Sequence, residues 1–209
     1  MIPSSESAPT IEWASPREVP AALLVLLEER LADSAGSTPI VLVDGLSGSG
    51  KSTRAAALAA ALRRGAVLDA RENGGAWRVL GPDLWYPGWD GLAAAQPVTL
   101  ALLADLRAGR PGTYRPWNWE TSTYGDPVEV APGIPTILEG CGVLFPAARA
   151  LADAALWVET RGGEEARRER ALSRDGDTYR PHWERWAAQD LTRLEIDRPR
   201  GLADAVILT

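Results

Sequence analysis

Eight consecutive residues, Gly45-Leu46-Ser47-Gly48-Ser49-Gly50-Lys51-Ser52, have the types and spacing to hold a polyphosphate. They satisfy the pattern G-x-x-x-x-G-K-[ST]. Glycine lets the backbone curl until consecutive N–H groups point inward at phosphate oxygens. A helix opening near Lys51 directs the positive end of its dipole at the same point. Lys51 is then placed to reach β- and γ-phosphates, the Ser52 hydroxyl to ligate Mg2+, and Thr53 to continue the same first helical turn. The four fixed positions match by chance in roughly one chain in a hundred of this length, so the flanks must decide. They agree with the pattern: the apolar run Pro39–Asp44 precedes the loop, and the Ala-rich stretch Ser52–Arg64 follows it. Residue usage adds weight. Of 22 basic residues only Lys51 is a lysine, and arginine and lysine are not interchangeable. A merely flexible Gly/Ser loop would not account for that exception.

Transfer of a phosphoryl group to a hydroxyl needs a proton acceptor, a metal and cationic cover for the moving group. Asp83 follows a predicted strand and so falls at the carboxyl edge of a sheet, where ligands collect in open α/β folds. A carboxylate there could accept or orient the acceptor proton; the alternative is a turn cap, since Pro82-Asp83 is also turn chemistry. Glu139 ends the apolar run Ile134–Leu138 and could share Mg2+ with substrate phosphates, or be a solvated strand end. Asp44 could serve similarly, but directly before the loop it reads as structural.

Between positions 161 and 185 arginine recurs among acids, and Arg167, Arg170 and Arg174 lie at spacings that share a helical face. Guanidinium groups suit phosphate, although an exposed face of salt bridges explains the same mixture. We take Arg170 or Arg174 as the lid arginine.

Nine tryptophans stand against one phenylalanine. Trp85, Trp89, Trp117 and Trp119 fall in two segments beside the expected acceptor site, where indoles could stack on a flat substrate or simply pack. Tyr86, Arg110, Arg115 and Asp126 are polar candidates nearby, with Tyr86 and Arg115 preferred. Trp77, Trp157, Trp183 and Trp186 are assigned to the core.

These groups need elements to hold them. Residues 1–19 lack periodicity and read as a flexible tail. A helix from Pro20 carries the stripe Leu23, Leu24, Leu27 and Leu31 and ends before Gly36. Strands are predicted at Pro39–Asp44, Ala76–Leu80, Ile134–Glu139, Ala154–Glu159 and Ala203–Leu208. Helices are predicted at Ser52–Arg64, closed by Gly65, at Leu92–Ala108, at Gly163–Arg174 and at Pro181–Leu194. Tyr114–Val130 reads as a hairpin-like insertion, and Asp175-Gly176-Asp177 as a hinge or turn. Alternation of strand and helix implies a parallel sheet.

The loop, with Asp83-Leu84-Trp85-Tyr86 and Ile137-Leu138-Glu139-Gly140, resembles uridine kinase-like P-loop kinases, a group that includes phosphoribulokinase and bacterial pantothenate kinase. The likeness spans roughly residues 38–209. It implies an α/β P-loop NTPase three-layer sandwich with a central parallel five-stranded sheet, a small insertion and a helical lid at about 161–180. Residues 20–209 then form one domain. It also implies ATP and Mg2+ as cofactors, Asp83 as base, and a small-molecule hydroxyl acceptor such as a nucleoside. The segments Tyr86–Leu92 and Tyr114–Trp119 depart from the nucleoside-binding segments of true uridine kinases and look more like an uncharacterised bacterial branch. A nucleotide-dependent switch or an inactive ATP-binding protein are the alternatives.

Composition narrows the classes further. With 22 basic and 28 acidic residues, net −6, no dominating basic face for nucleic acid is expected. No apolar run reaches the ~18–20 residues needed to span a bilayer, and the first ten residues lack the basic start of a signal peptide. A single cysteine, Cys141, allows no internal disulfide and no Cys-based zinc site. We therefore expect a cytoplasmic monomer or homodimer.

Overall fold

A computed structural model describes residues 8–32, 34, 38–64 and 76–209. The tail expectation for residues 1–7, and the helix ends at Gly36 and Gly65, lie outside these residues. In chain order come β1 (Thr10–Glu12), α1 (Ala21–Leu31), β2 (Ile40–Gly45), α2 (Lys51–Arg64), β3 (Arg78–Leu80) and α3 (Leu92–Arg107). A pair of short nested hairpins follows, β4 (Gly112–Tyr114) with β7 (Val128–Val130) and β5 (Trp117–Asn118) with β6 (Thr123–Tyr124). The chain closes with β8 (Thr136–Glu139), α4 (Pro146–Arg149), β9 (Ala154–Glu159), α5 (Gly163–Tyr179), α6 (Trp183–Asp197), α7 (Pro199–Leu202) and β10 (Ala205–Leu208).

The main sheet has strand order β1-β10-β9-β2-β8-β3, with parallel pairing throughout. Both faces are covered, which is why its central strands read as unbroken apolar runs. On one side Leu42, Leu138, Trp85, Leu102 and Trp183 pack together under α3 and α6. On the other, Val41, Ile137, Leu23, Leu58 and Ile207 pack under α1 and α2. Of the predicted stripe, Leu23, Leu27 and Leu31 are buried and Leu24 is partly buried against the same core. Among the described residues no helix is long and apolar enough to cross a membrane.

Two expectations are corrected. The sheet has six strands rather than five, because Thr10–Glu12, assigned to the tail, pairs in register with Val206–Leu208. Three mixed residues carry no period of their own; the exposed edge of β10 supplies their backbone partners. Trp13, directly after β1, is only 2% exposed and joins the α1–α2 core. The charged helix also continues past Arg174 to Tyr179, broken at Gly176, where φ 59 and ψ −140 leave the helical region at the predicted Asp-Gly-Asp hinge.

Replacing Trp13 by Ala should cost about 3–5 kcal/mol of stability, as for other buried aromatics. Urea denaturation measures this, and a loss below about 1 kcal/mol would mean that the segment around Trp13 is not part of the folding unit.

Candidate active site

The phosphate loop leaves β2 at the carboxyl edge of the sheet and enters α2 at Lys51. Gly48 and Gly50 have φ of +77° and +89°, a left-handed region that only glycine enters without strain. A Cβ on Gly48 would also come 2.0 Å from the Arg167 carbonyl oxygen on α5. The Ser49 N–H donates to the Leu46 carbonyl at 3.1 Å, closing the curl. Lys51 is buried, with its Nζ donating to the Leu46 carbonyl at 3.0 Å and lying 3.3 Å from Cys141 Sγ. Burial opposes its charge. The fields of Cys141, Glu139, Asp190 and Asp44 more than offset that, so its pKa rises.

A cavity of about 270 Å3 opens from the loop. At its phosphate end stand Ser47, Lys51, Ser52 and Glu139. Glu139, the last residue of β8, accepts a hydrogen bond from the Ser52 hydroxyl; burial nevertheless pushes its carboxyl upward against the pull of Lys51. Asp83, on the turn after β3, lines the same cavity. Lost solvation raises its pKa, partly countered by Lys51 and Arg174 and reinforced by Asp175. Arg174 forks onto Asp175 through Nε at 2.8 Å and Nη2 at 2.6 Å.

Beyond Asp83 the wall is aromatic, formed by Tyr86, Trp89, Trp119, Tyr179 and Trp186. Trp89 stacks on Tyr179 at 5.3 Å and on His182 at 4.3 Å, and meets Trp119 at 4.8 Å. Three hydrogen-bonding groups in this wall are already committed. Tyr86 Oη donates to the Cys141 carbonyl at 2.5 Å, Trp119 Nε1 to the Asp83 carbonyl at 3.1 Å, and Tyr179 Oη pairs with Ser47 Oγ at 2.9 Å. The cavity thus joins the glycine-rich loop, three carboxylates (Asp83, Glu139 and Asp175) and an aromatic surface.

Two solved structures resemble the chain over most of its length. One is a protein from Bacillus stearothermophilus named as a possible uridine kinase, 20% identical, with 88% of this chain and 96% of that chain covered at a TM-score of 0.56. The other is a candidate fructose transport system kinase from Silicibacter sp. TM1040, 21% identical, with 89% and 97% covered at 0.55. The chain has the uridine kinase-like P-loop fold. No protein-family model matches the sequence, and no curated protein matches it.

Within this uridine kinase-like fold the cavity brings together Ser47, Gly48, Lys51, Ser52, Asp83, Tyr86, Trp89, Glu139 and Arg174 from the sequence-derived set. Gly45, Ser49, Gly50 and Thr53 belong to the loop and its helix but do not line the cavity. Four substrate or lid candidates lie elsewhere. Trp85 is 1% exposed, packs on Tyr114 and donates to Thr99 Oγ1, because it falls on the core side of its turn. Trp117 packs edge-on against Tyr124 across β5–β6. Arg115 donates to the Gly125 carbonyl and lies over the Tyr124 ring, holding the hairpin. Arg170 donates to Thr160 and Thr209 hydroxyls at the ends of β9 and β10. Arg110, paired with Asp105, and Asp126 also fall outside the cavity.

Tyr179, Trp186, Asp175 and Cys141 line the cavity without having been assigned to a site by the sequence. Tyr179 ends α5 and Trp186 lies on α6, and no local signal aims either at the phosphate loop.

Burial raises the pKa of both Asp83 and Glu139 in the folded protein. The fold therefore retains protons that the unfolded chain has released, and stability falls as pH rises through that interval. Asp83→Asn should melt above wild type at neutral pH, with the gain vanishing below the ordinary carboxylate pKa of about 3.9. A variant that melts lower at neutral pH would mean that the Asp83 carboxylate is a net stabiliser.

Proposed function

We propose that the protein transfers the γ-phosphoryl group of ATP to a hydroxyl of a small molecule. The observation that carries this reading is the convergence of Lys51, Ser52, Glu139 and Asp83 on one cavity whose far wall is aromatic. The loop amides and Lys51 bind the β- and γ-phosphates. Ser52 and Glu139 are neighbouring oxygen donors, a donor set that fits magnesium, which typically takes one or two carboxylates and completes its shell with phosphates and water. When bound, the ion neutralises charge on the β- and γ-oxygens.

Asp83 accepts the proton of the acceptor hydroxyl, and its upward-shifted pKa moves it toward the range in which a general base is effective. Arg174, released from Asp175, covers the moving phosphoryl group, within a lid of about residues 161–180. Trp89 and Trp119 offer stacking faces to the acceptor. The names of the two similar structures point to a nucleoside and to a sugar, both hydroxyl acceptors.

The purified protein should form ADP from ATP–Mg2+ only when an acceptor from a panel of nucleosides and sugars is present. Lys51→Ala and Asp83→Asn should each lower turnover by about 10²–10⁴-fold. Acceptor-independent phosphate release that survives Asp83→Asn would establish a nucleotide hydrolase instead, and ATP binding without turnover an inactive binding protein.

A further inference from the structure

Ser47 occupies a position where the loop pattern specifies no residue type, yet all three of its polar groups are engaged from one stretch of the chain. Its N–H donates to Asp190 Oδ2 on α6 at 3.2 Å. Its hydroxyl pairs with Tyr179 Oη at 2.9 Å, and its carbonyl accepts from Arg167 Nη1 at 3.2 Å. The first two contacts are buried. Asp190 is 2% exposed, and among the described residues its other oxygen has no hydrogen bond, standing 3.9 Å from Arg193 Nη2. A carboxylate is costly to place there, and its hydrogen-bonded neighbour is the loop.

The break at Gly176 divides these contacts. Arg167 belongs to the segment before it, with Arg174; Tyr179 and Asp190 lie after it. Tyr179 also stacks on Trp89, so one ring touches both the phosphate loop and the acceptor wall.

We propose that Asp190 and Tyr179 are positioning residues that hold the phosphate loop in its binding shape through Ser47. This inference rests on the kinase reading for its ligand but not for its structural consequence. An amide fixed on one side by Asp190 cannot swing, so the following amides of Gly48 to Lys51 meet a phosphate with little rearrangement, and less binding energy is spent on ordering. Tyr179 fixes the same residue from its side chain and carries that restraint to Trp89.

The test is direct titration with ATP–Mg2+, together with hydrogen exchange of the ligand-free protein. Asp190→Ala should weaken ATP binding about ten-fold, the effect of leaving one buried amide without its acceptor. It should also speed exchange at Gly48 to Lys51, whose amides do not bond Asp190. Asp190→Asn, which keeps an oxygen for the Ser47 amide, should restore most of both. Tyr179→Phe keeps the stack on Trp89 and loses only the hydroxyl contact. It should weaken binding as Ser47→Ala does, with the double variant no weaker than either single.

Should Asp190→Ala fail to fold, this second pair still decides the matter. Wild-type affinity and exchange in Tyr179→Phe, or strictly additive losses in the double variant, would overturn the proposal. A wild-type protein that does not bind ATP–Mg2+ would instead overturn the kinase reading, leaving the exchange measurement to judge the clamp.

Discussion

At the carboxyl end of the central strand the Asp44 carboxylate is shut off from solvent, and the phosphate loop starts from it. It accepts from the amides of Gly45 at 2.6 Å, Gly142 at 3.2 Å and Leu144 at 2.8 Å, and from two guanidinium nitrogens of Arg193 at 3.1 and 3.3 Å. Burying a lone carboxylate costs several kcal/mol, so these donors are a condition of the fold and not an addition to it. Three parts of the chain are pinned at one point: the start of the loop, the turn after β8 and helix α6. That turn carries Cys141 against Lys51, so the position of the lysine follows from the same contact.

The electrostatics of the cavity follow from that geometry. Lys51 remains cationic because neighbouring acids outweigh its burial. Burial pushes the Cys141 thiol beside it up to about 12. Asp83 and Glu139 are also pushed upward. The cavity therefore holds two firm cations, Lys51 and the Asp175-paired Arg174, among carboxyl groups that ionise reluctantly. On the proposed function, a polyphosphate would answer Lys51 and the loop amides. A divalent ion travelling with it would stabilise the ionised form of the acid beside Ser52. Neither half alone would balance the site as well as the pair.

How much of this could be read from the residues depended on range. The phosphate loop and the strand–helix alternation were legible because their signals are local, as were the hairpins of the insertion. Strand β1 was not, since Thr10–Glu12 becomes a strand only by lying beside Val206–Leu208. The tryptophans were ambiguous for a chemical reason: an indole suits a core and a stacking wall equally. Trp85 and Trp89 flank one irregular turn, and only the tertiary arrangement sends the first inward and the second to the cavity. The arginines were not separable locally: at 3.6 residues per turn, positions 167, 170 and 174 fall within about 60° of one another around a helix. Only the tertiary arrangement sends Arg170 to Thr160 and Thr209 and Arg174 to the cavity.

The same helix shows how fixed and movable parts are divided. The Arg174–Asp175 pair is 61% and 35% exposed, and exposed pairs contribute about 0–1 kcal/mol. Exchanging the Asp175 partner for a phosphoryl group, as the proposed function requires, would therefore cost little. The contacts of Asp190 and Tyr179 with Ser47 are buried, and breaking one would leave a polar group unsatisfied at about 1–3 kcal/mol. Between them stands Gly176, the one residue of α5 outside helical geometry. Exchange of the Arg174–Asp175 pair is thus the cheap change in this segment, whereas the phosphate loop is held from both sides of the glycine, by Arg167 before it and by Tyr179 and Asp190 after it.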